Sequence, residues 1–229
     1  MGMNRNTVAN LTLGPLEEPV QRSEVVYNAL LESIIRGELE SGAQLNADSV
    51  AQTLKVSTTP VRDALNCLEK DGLVVKLPYQ GWFVRQFQDQ EIRDLYEMRS
   101  GLECFSVGLA CARITTEEIA WLREHQTAGE ASLERGDMEA YRLYNQELHA
   151  AIMRAARNSE LAVATEHVSR KMQMLSARTI RLAGRPSYAV REHRQLIGLI
   201  EQRHAEAAKD LMERHILSAM EDIFRHGLR

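Results

Sequence analysis

Residues 57–86 read STTPVRDALNCLEKDGLVVKLPYQGWFVRQ. Ser57, Thr58 and Thr59 offer hydroxyls suited to a helix start, and Pro60 falls in the first turn, where its missing N–H costs little. Val61, Ala64, Leu65 and Leu68 recur at helical spacing and give that helix one apolar stripe. Asp71-Gly72 ends it. Leu73-Val74-Val75-Lys76-Leu77 and Trp82-Phe83-Val84 are β-prone runs on either side of Pro78-Tyr79-Gln80-Gly81, which predicts a hairpin. Upstream, Val25, Val26, Leu30, Ile34 and Ile35 predict a helix over Glu24–Arg36, broken by Gly37 and Gly42. Asn46 or Asp48 can cap a short second helix running to about Leu54. Residues 21–86 thus spell helix, helix, helix, hairpin, the order of a winged helix-turn-helix.

Downstream of a junction at Arg85-Gln86-Phe87-Gln88 the pattern is helical to the end. Six helices are expected at about 89–112, 116–135, 138–156, 159–182, 187–203 and 205–226. Thr115 with Glu118 fits a capping box, Asp137 and Ser159 fit N-caps, and Gly136, Gly184-Arg185-Pro186 and Gly227 fit stops. The expected fold is mainly α, an N-terminal winged helix-turn-helix followed by a C-terminal antiparallel six-helix bundle. Residues 1–20 read as a flexible tail, 21–86 as the first domain and 87–229 as the second.

Composition agrees. The 229 residues are 44% hydrophobic and 26% charged, which suits a soluble globular chain with its own core, and only 5% are aromatic, which disfavours a large sheet. Three cysteines, Cys67, Cys104 and Cys111, without a C-x-x-C pair give neither a disulfide framework nor a cysteine zinc site. No run is apolar enough for a membrane span or a secretory signal, so a cytoplasmic protein is expected. The net charge of −4 excludes coating nucleic acid by bulk charge. It conceals an asymmetry: residues 1–49 carry three basic and seven acidic groups, whereas 50–85 carry five basic and three acidic.

The second helix of a helix-turn-helix pair enters the major groove by its N-terminal end. Here that end presents Ser57, Thr58 and Thr59 for phosphates and Arg62 for a base edge, where arginine paired with guanine is the commonest specific contact. Gln80 and Gly81 at the hairpin tip are placed for the adjacent minor groove. The same unit also occurs as a protein-interaction module. Leu45-Asn46-Ala47-Asp48-Ser49-Val50-Ala51, Val56 to Leu65, Leu68 to Val74 and Gly81-Trp82-Phe83-Val84 together resemble the GntR family of bacterial transcriptional regulators. The resemblance implies a dimeric winged-helix regulator controlled by a small molecule. Where the family usually has Arg after the serine, this chain has Thr58, which implies a different operator.

In the helical half, Asn145 and His149 share one helix face at i, i+4, and His193 and His215 fall on two later helices. Neutral imidazoles from three helices of a bundle can form a transition-metal site; on spacing alone half-buried polar groups are the favoured reading. Tyr96 to Glu103, Leu109 to Arg113, Glu147-Leu148-His149, Ala156 to Leu161, Glu192 to Ile197 and Ala205-Glu206-Ala207-Ala208 resemble the FCD ligand-binding domain of the FadR subfamily. That resemblance implies a divalent metal, Zn, Ni or Mn, held by His149, His193 and His215, with Asn145 standing where members have an acidic ligand. It also implies a carboxylate effector and places Arg99 in the effector cavity. Without it, Arg99 reads as a residue paired with Glu103. Arg178, Arg181 and Arg185 read as a solvated basic face, one of which could reach a ligand.

Three readings of function meet these features. One is a ligand-responsive repressor, a homodimer on a palindromic DNA operator, with no membrane partner and no catalytic residues. The alternatives are a metal-dependent enzyme acting on a small carboxylate and a DNA-binding protein without effector. The enzyme lacks a carboxylate placed as general base and leaves the winged helix unexplained.

Overall fold

The computed structural model describes residues 20–227. The tail expected at residues 1–20 lies outside the described residues except for Val20, which opens the first helix. The elements of the N-terminal part are α1 (Val20–Ile35), β1 (Gln44–Leu45), α2 (Ala47–Leu54), α3 (Thr58–Lys70), β2 (Val74–Leu77) and β3 (Gly81–Val84). Asn46 is the cap of α2: its side chain accepts from the N–H groups of Asp48 at 2.9 Å and Ser49 at 3.0 Å. Ser57 occupies the N-cap of α3 with extended backbone, but its hydroxyl makes no capping bond, contrary to expectation.

The apolar stripes of α1 and α3 face each other. Val26, Leu30 and Ile34 bury against Val61, Ala64, Leu65 and Leu68, and Leu45, Val74 and Val84 close the core from the sheet. Each such side chain contributes about 1.5–3 kcal/mol through burial. The sheet order is β1-β3-β2, antiparallel throughout, with Leu77 opposite Gly81 and Gln44 opposite Phe83. Strand β1 is unanticipated, because two residues are too few to show alternation.

The C-terminal part comprises α4 (Asp89–Arg113), α5 (Thr116–Glu134), α6 (Met138–Ala155), α7 (Ser159–Thr179), α8 (Arg185–Glu201) and α9 (Ala205–His226). Helices α4 and α9 pack along each other, α4 also meets α6, α7 and α8, and α5 lies on α6 and α8. The capping box of Thr115 and Glu118 forms, and Asp137 caps α6 by accepting from Ala140 N–H at 3.0 Å. Three expectations need correction. The cap of α7 is Asn158, not Ser159; its amide oxygen accepts from Leu161 N–H at 3.1 Å. Pro186 does not stop a helix but sits in the first turn of α8, after Gly184 at φ 81°. A proline there sacrifices no intrahelical bond. The third concerns the basic run. Arg185 turns inward and donates to the His215 carbonyl and the Ser218 hydroxyl at 3.0 Å each, facing Asp222 at 3.5 Å.

Arg178 is half-buried and donates to the Ser41 hydroxyl, and Arg181, still exposed, donates to the Arg36 carbonyl, both in the N-terminal part. Further along α7, Arg170 donates to Tyr27 Oη at 2.8 Å and to Asp71, while Tyr27 Oη donates to Asp71 Oδ2 at 2.5 Å. Asp71 is the C-cap of α3, so one face of α7 is bonded to the end of the helix proposed to read DNA. The stem of Lys171 lies against Gly72, where a Cβ would meet its Cε at 2.6 Å. Among the described residues no helix is long and apolar enough to cross a membrane.

Candidate functional site

The structure sets Ser57, Thr58, Thr59 and Arg62 along the start of α3, with Ser57, Thr59 and Arg62 exposed and Thr58 half-buried. Arg62 is exposed and makes no hydrogen bond or ion pair among the described residues, so its guanidinium is free for an external partner. Gln80 and Gly81 stand at the end of the β2–β3 hairpin. The hairpin is braced: Gln44 Nε2 donates to the Gln80 carbonyl at 2.7 Å, and the Lys76 ammonium lies 4.6 Å over the Trp82 ring.

His149 of α6, His193 of α8 and His215 of α9 meet inside the bundle. One ligand atom from each lies within 4.8 Å of the others. Every Nδ1 has a partner. His149 Nδ1 is 2.5 Å from Glu103 Oε2, His215 Nδ1 is 2.7 Å from Glu192 Oε2, and His193 Nδ1 is 3.0 Å from Tyr144 Oη. Two carboxylates accept only, so the first two rings carry their proton on Nδ1. The third follows from the chain beyond it: Tyr144 Oη donates to Gln126 Oε1 at 2.5 Å and therefore accepts from His193. The network assigns the same tautomer to all three rings and leaves three Nε2 lone pairs facing inward.

Those lone pairs lack a proton donor. His193 Nε2 and His215 Nε2 stand 3.3 Å apart, and His149 Nε2 is buried with no partner among the described residues. Burial, and after it the neighbouring imidazoles, pushes His193 well below the usual histidine range; burial and His149 do the same for His215. Neutral rings with converging lone pairs fit a divalent transition metal, and the carboxylate or hydroxyl behind each is the support such ligands need.

Glu103 connects this centre to Arg99. Burial raises its carboxyl pKa, but the Arg99 guanidinium and His149 outweigh burial and hold it well below the usual range. Arg99 Nε donates to Glu103 Oε1 at 2.5 Å. Arg99, while paired with Glu103, also lines a cavity. That cavity has a volume of about 970 Å³ and opens between α4, α6 and α7, with Asn145, His149 and Arg99 at its inner end. Asn145 also borders a smaller recess with His215. Leu102, Met153, Val168 and Met172 supply apolar wall, and Ser169 and Gln173 supply polar wall from α7. Sequence reasoning missed Glu192, Tyr144 and Gln126. Their partners lie 23, 49 and 18 residues away, and no local pattern marks them.

Residues 22–84 match the family model described as bacterial regulatory proteins, gntR family, and residues 94–218 match the FCD domain. The "Uncharacterized HTH-type transcriptional regulator YdhC" of Bacillus subtilis is 28% identical over 207 residues, covering 89% of each chain. The Nta operon transcriptional regulator of Aminobacter aminovorans is 35% identical over 132 residues, 58% of this chain and 62% of that one. The solved structure of Escherichia coli McbR/YncC superposes with a TM-score of 0.78 at 21% identity, covering 90% of this chain and 98% of that one, a likeness of fold.

Proposed function

Since this chain belongs to the GntR family of bacterial regulatory proteins and carries an FCD domain, it is a DNA-binding transcriptional regulator with an effector-binding domain, and we propose that it acts in the cytoplasm as a dimeric repressor released or recruited by an organic acid. The proposed division runs at residues 85–88, winged helix before and helical effector domain after. Ser57, Thr58 and Thr59 hold phosphates, Arg62 reads a base in the major groove, and Gln80 with Gly81 approaches the minor groove. Two copies related by a two-fold axis read a palindromic operator.

The observation that carries the effector reading is the set of three inward Nε2 lone pairs, of which the His149 ring borders the cavity and His149 and His215 border the smaller recess. His149, His193 and His215, with the Asn145 carbonyl, would hold a divalent ion such as Zn, Ni or Mn. When bound, that ion supplies a Lewis-acidic anchor for an anion. Arg99 supplies a fixed positive charge beside it, because only its Nε is engaged by Glu103. A carboxylate suits that pair. Asn145 is neutral, so the site binds metal less tightly than one completed by a carboxylate.

The cavity wall offers the route to DNA. Ser169, Gln173 and Ser176 of α7 line the cavity, while Arg170 and Arg178 of the same helix, and Arg181 just beyond its end, bond to the winged part. A ligand that prefers one position of α7 therefore biases the position of α3, which is the differential binding that allostery requires.

A thermal-shift screen of small organic acids, each with and without Zn²⁺, Ni²⁺ or Mn²⁺, tests the reading. A true effector at about 100 times its Kd adds about 2.7 kcal/mol of stability. The absence of any shift across the screen overturns the sensor half. Gel shifts on duplexes enriched from random DNA test the other half, and unchanged affinity in Arg62→Ala overturns the recognition-helix assignment.

A further inference from the structure

Among the described residues, four other than glycine have positive φ: Lys55 (55°), Tyr79 (63°), Arg157 (47°) and Arg203 (60°). Three of them follow helices, where a left-handed residue commonly closes the last turn. Lys55 N–H reaches the Ala51 and Gln52 carbonyls after α2, Arg157 N–H the Arg154 carbonyl after α6, and Arg203 N–H the Ile200 carbonyl after α8. The side chains of Arg157 and Arg203 are also engaged, with Glu118 and with the Cys111 and Ile114 carbonyls.

Tyr79 belongs to no helix end. It lies in the turn Leu77–Gln80, closed by Gln80 N–H to the Leu77 carbonyl at 3.1 Å. Proline fixes its own φ near −65°. Positive φ at the residue after Pro78 therefore makes this a type II turn, whose third position favours Gly or Asn. A bulky residue there is strained, because its Cβ crowds the backbone in the left-handed region. Nothing among the described residues compensates. Tyr79 is fully exposed, at 108%, and has no hydrogen bond or ring contact among the described residues. The tip that carries it is held in place by the Gln44 bond to the Gln80 carbonyl. The strained position thus presents an aromatic ring to solvent at the end of a braced hairpin that follows α3.

Resting on the DNA-binding reading above, we propose that Tyr79 is itself a DNA contact, its phenol entering the minor groove beside the site read by α3. The chemistry suits that groove. The ring's apolar faces lie against sugar edges, and the hydroxyl donates to the acceptors, adenine N3 and thymine O2, that line the groove floor. Lys76, exposed on the same hairpin, adds attraction for the flanking phosphates.

Tyr79→Gly separates this role from a structural one, since glycine relieves the turn while deleting the ring. The wild-type protein, Tyr79→Gly and Arg62→Ala are compared on the duplex that the wild type enriches from random DNA, with melting temperatures measured in parallel. Tyr79→Gly is expected to melt at the same temperature as wild type or higher and to bind about fivefold or more weakly, the size of one lost contact. Hydroxyl-radical protection of the minor groove at the outer edge of each half-site should disappear with it. If Tyr79→Gly binds and protects like wild type while Arg62→Ala weakens binding, the Tyr79 assignment is overturned and the DNA reading stands. If the wild type enriches no duplex, both fall.

Discussion

Tyr144→Phe deletes one oxygen from the buried chain Gln126–Tyr144–His193. That oxygen accepts from His193 Nδ1 at 3.0 Å and donates to Gln126 Oε1 at 2.5 Å. His193 is 0% exposed and Gln126 4%, so bulk water cannot take its place. Each buried group left without a partner costs about 1–3 kcal/mol. Phenylalanine keeps the ring packing, so the net loss is expected near 2 kcal/mol, a fall in Tm of about 4–8 °C for a chain of this size. Scanning calorimetry measures it. A second effect is tautomeric. Without an acceptor at Nδ1, His193 is free to carry its proton on Nε2, where a partner ring nitrogen waits at 3.3 Å. One of the three inward lone pairs is then lost, and losses behind a metal ligand weaken affinity about 10–100-fold. Titration calorimetry of Zn²⁺ into metal-stripped wild type and variant reads this directly. An unchanged Tm together with a Zn²⁺ affinity within about threefold of wild type would refute the assigned tautomers.

Asn145→Asp should tighten Zn²⁺ binding about tenfold or more, since a modest added Coulomb attraction of ~1.4 kcal/mol suffices; the same titration checks it. Gly129→Ala should lower Tm, because a Cβ there would meet the Tyr144 ring at 2.5 Å, and overpacking of about 1–3 kcal/mol matches or exceeds the ~1 kcal/mol gain in helix propensity. A raised Tm would show that the ring shifts freely. Arg170→Ala should shrink the ratio of operator affinities with and without effector, read by fluorescence anisotropy; a ratio equal to wild type would remove α7 as the route between cavity and α3. The Glu91 carboxyl is held below its usual range first by Gln88 N–H and then, against burial, by Arg85. Its stabilising effect is therefore present above the unfolded carboxylate pKa of about 4.3 and lost as pH falls below it, so Glu91→Gln should show a shallower acid decline in Tm.

The elements were legible where a local signal existed. Apolar spacing marked α3 and α9, and a hydroxyl three residues before a glutamate marked the start of α5. Errors arose where two local signals competed. Asn158 and Ser159 are both good caps, and only the observed bond to Leu161 N–H separates them. Pro186 is compatible with a stop or with a first turn, and the left-handed Gly184 selects the latter. In the histidine cluster, the three imidazoles stood out as residue types, whereas Glu192, Tyr144 and Gln126 act through contacts across the bundle that leave no periodic trace. Arg178 and Arg185 read as solvated because charge alone does not reveal the hydroxyl and carbonyl acceptors that the winged part and α9 supply beside them.

Helix α7 is a party wall, and that has a consequence for how such a protein can change. A substitution at Ser169, Gln173 or Ser176 alters what the cavity accepts and, by tilting the same helix, what Arg170 and Arg178 hold on the other side. Chemical preference and genetic output are then coupled traits, difficult to vary separately. Ala150 and Met153 line the cavity from α6, which shares no such duty along that stretch. Retuning the protein to a new effector while keeping its response intact should start from those two positions.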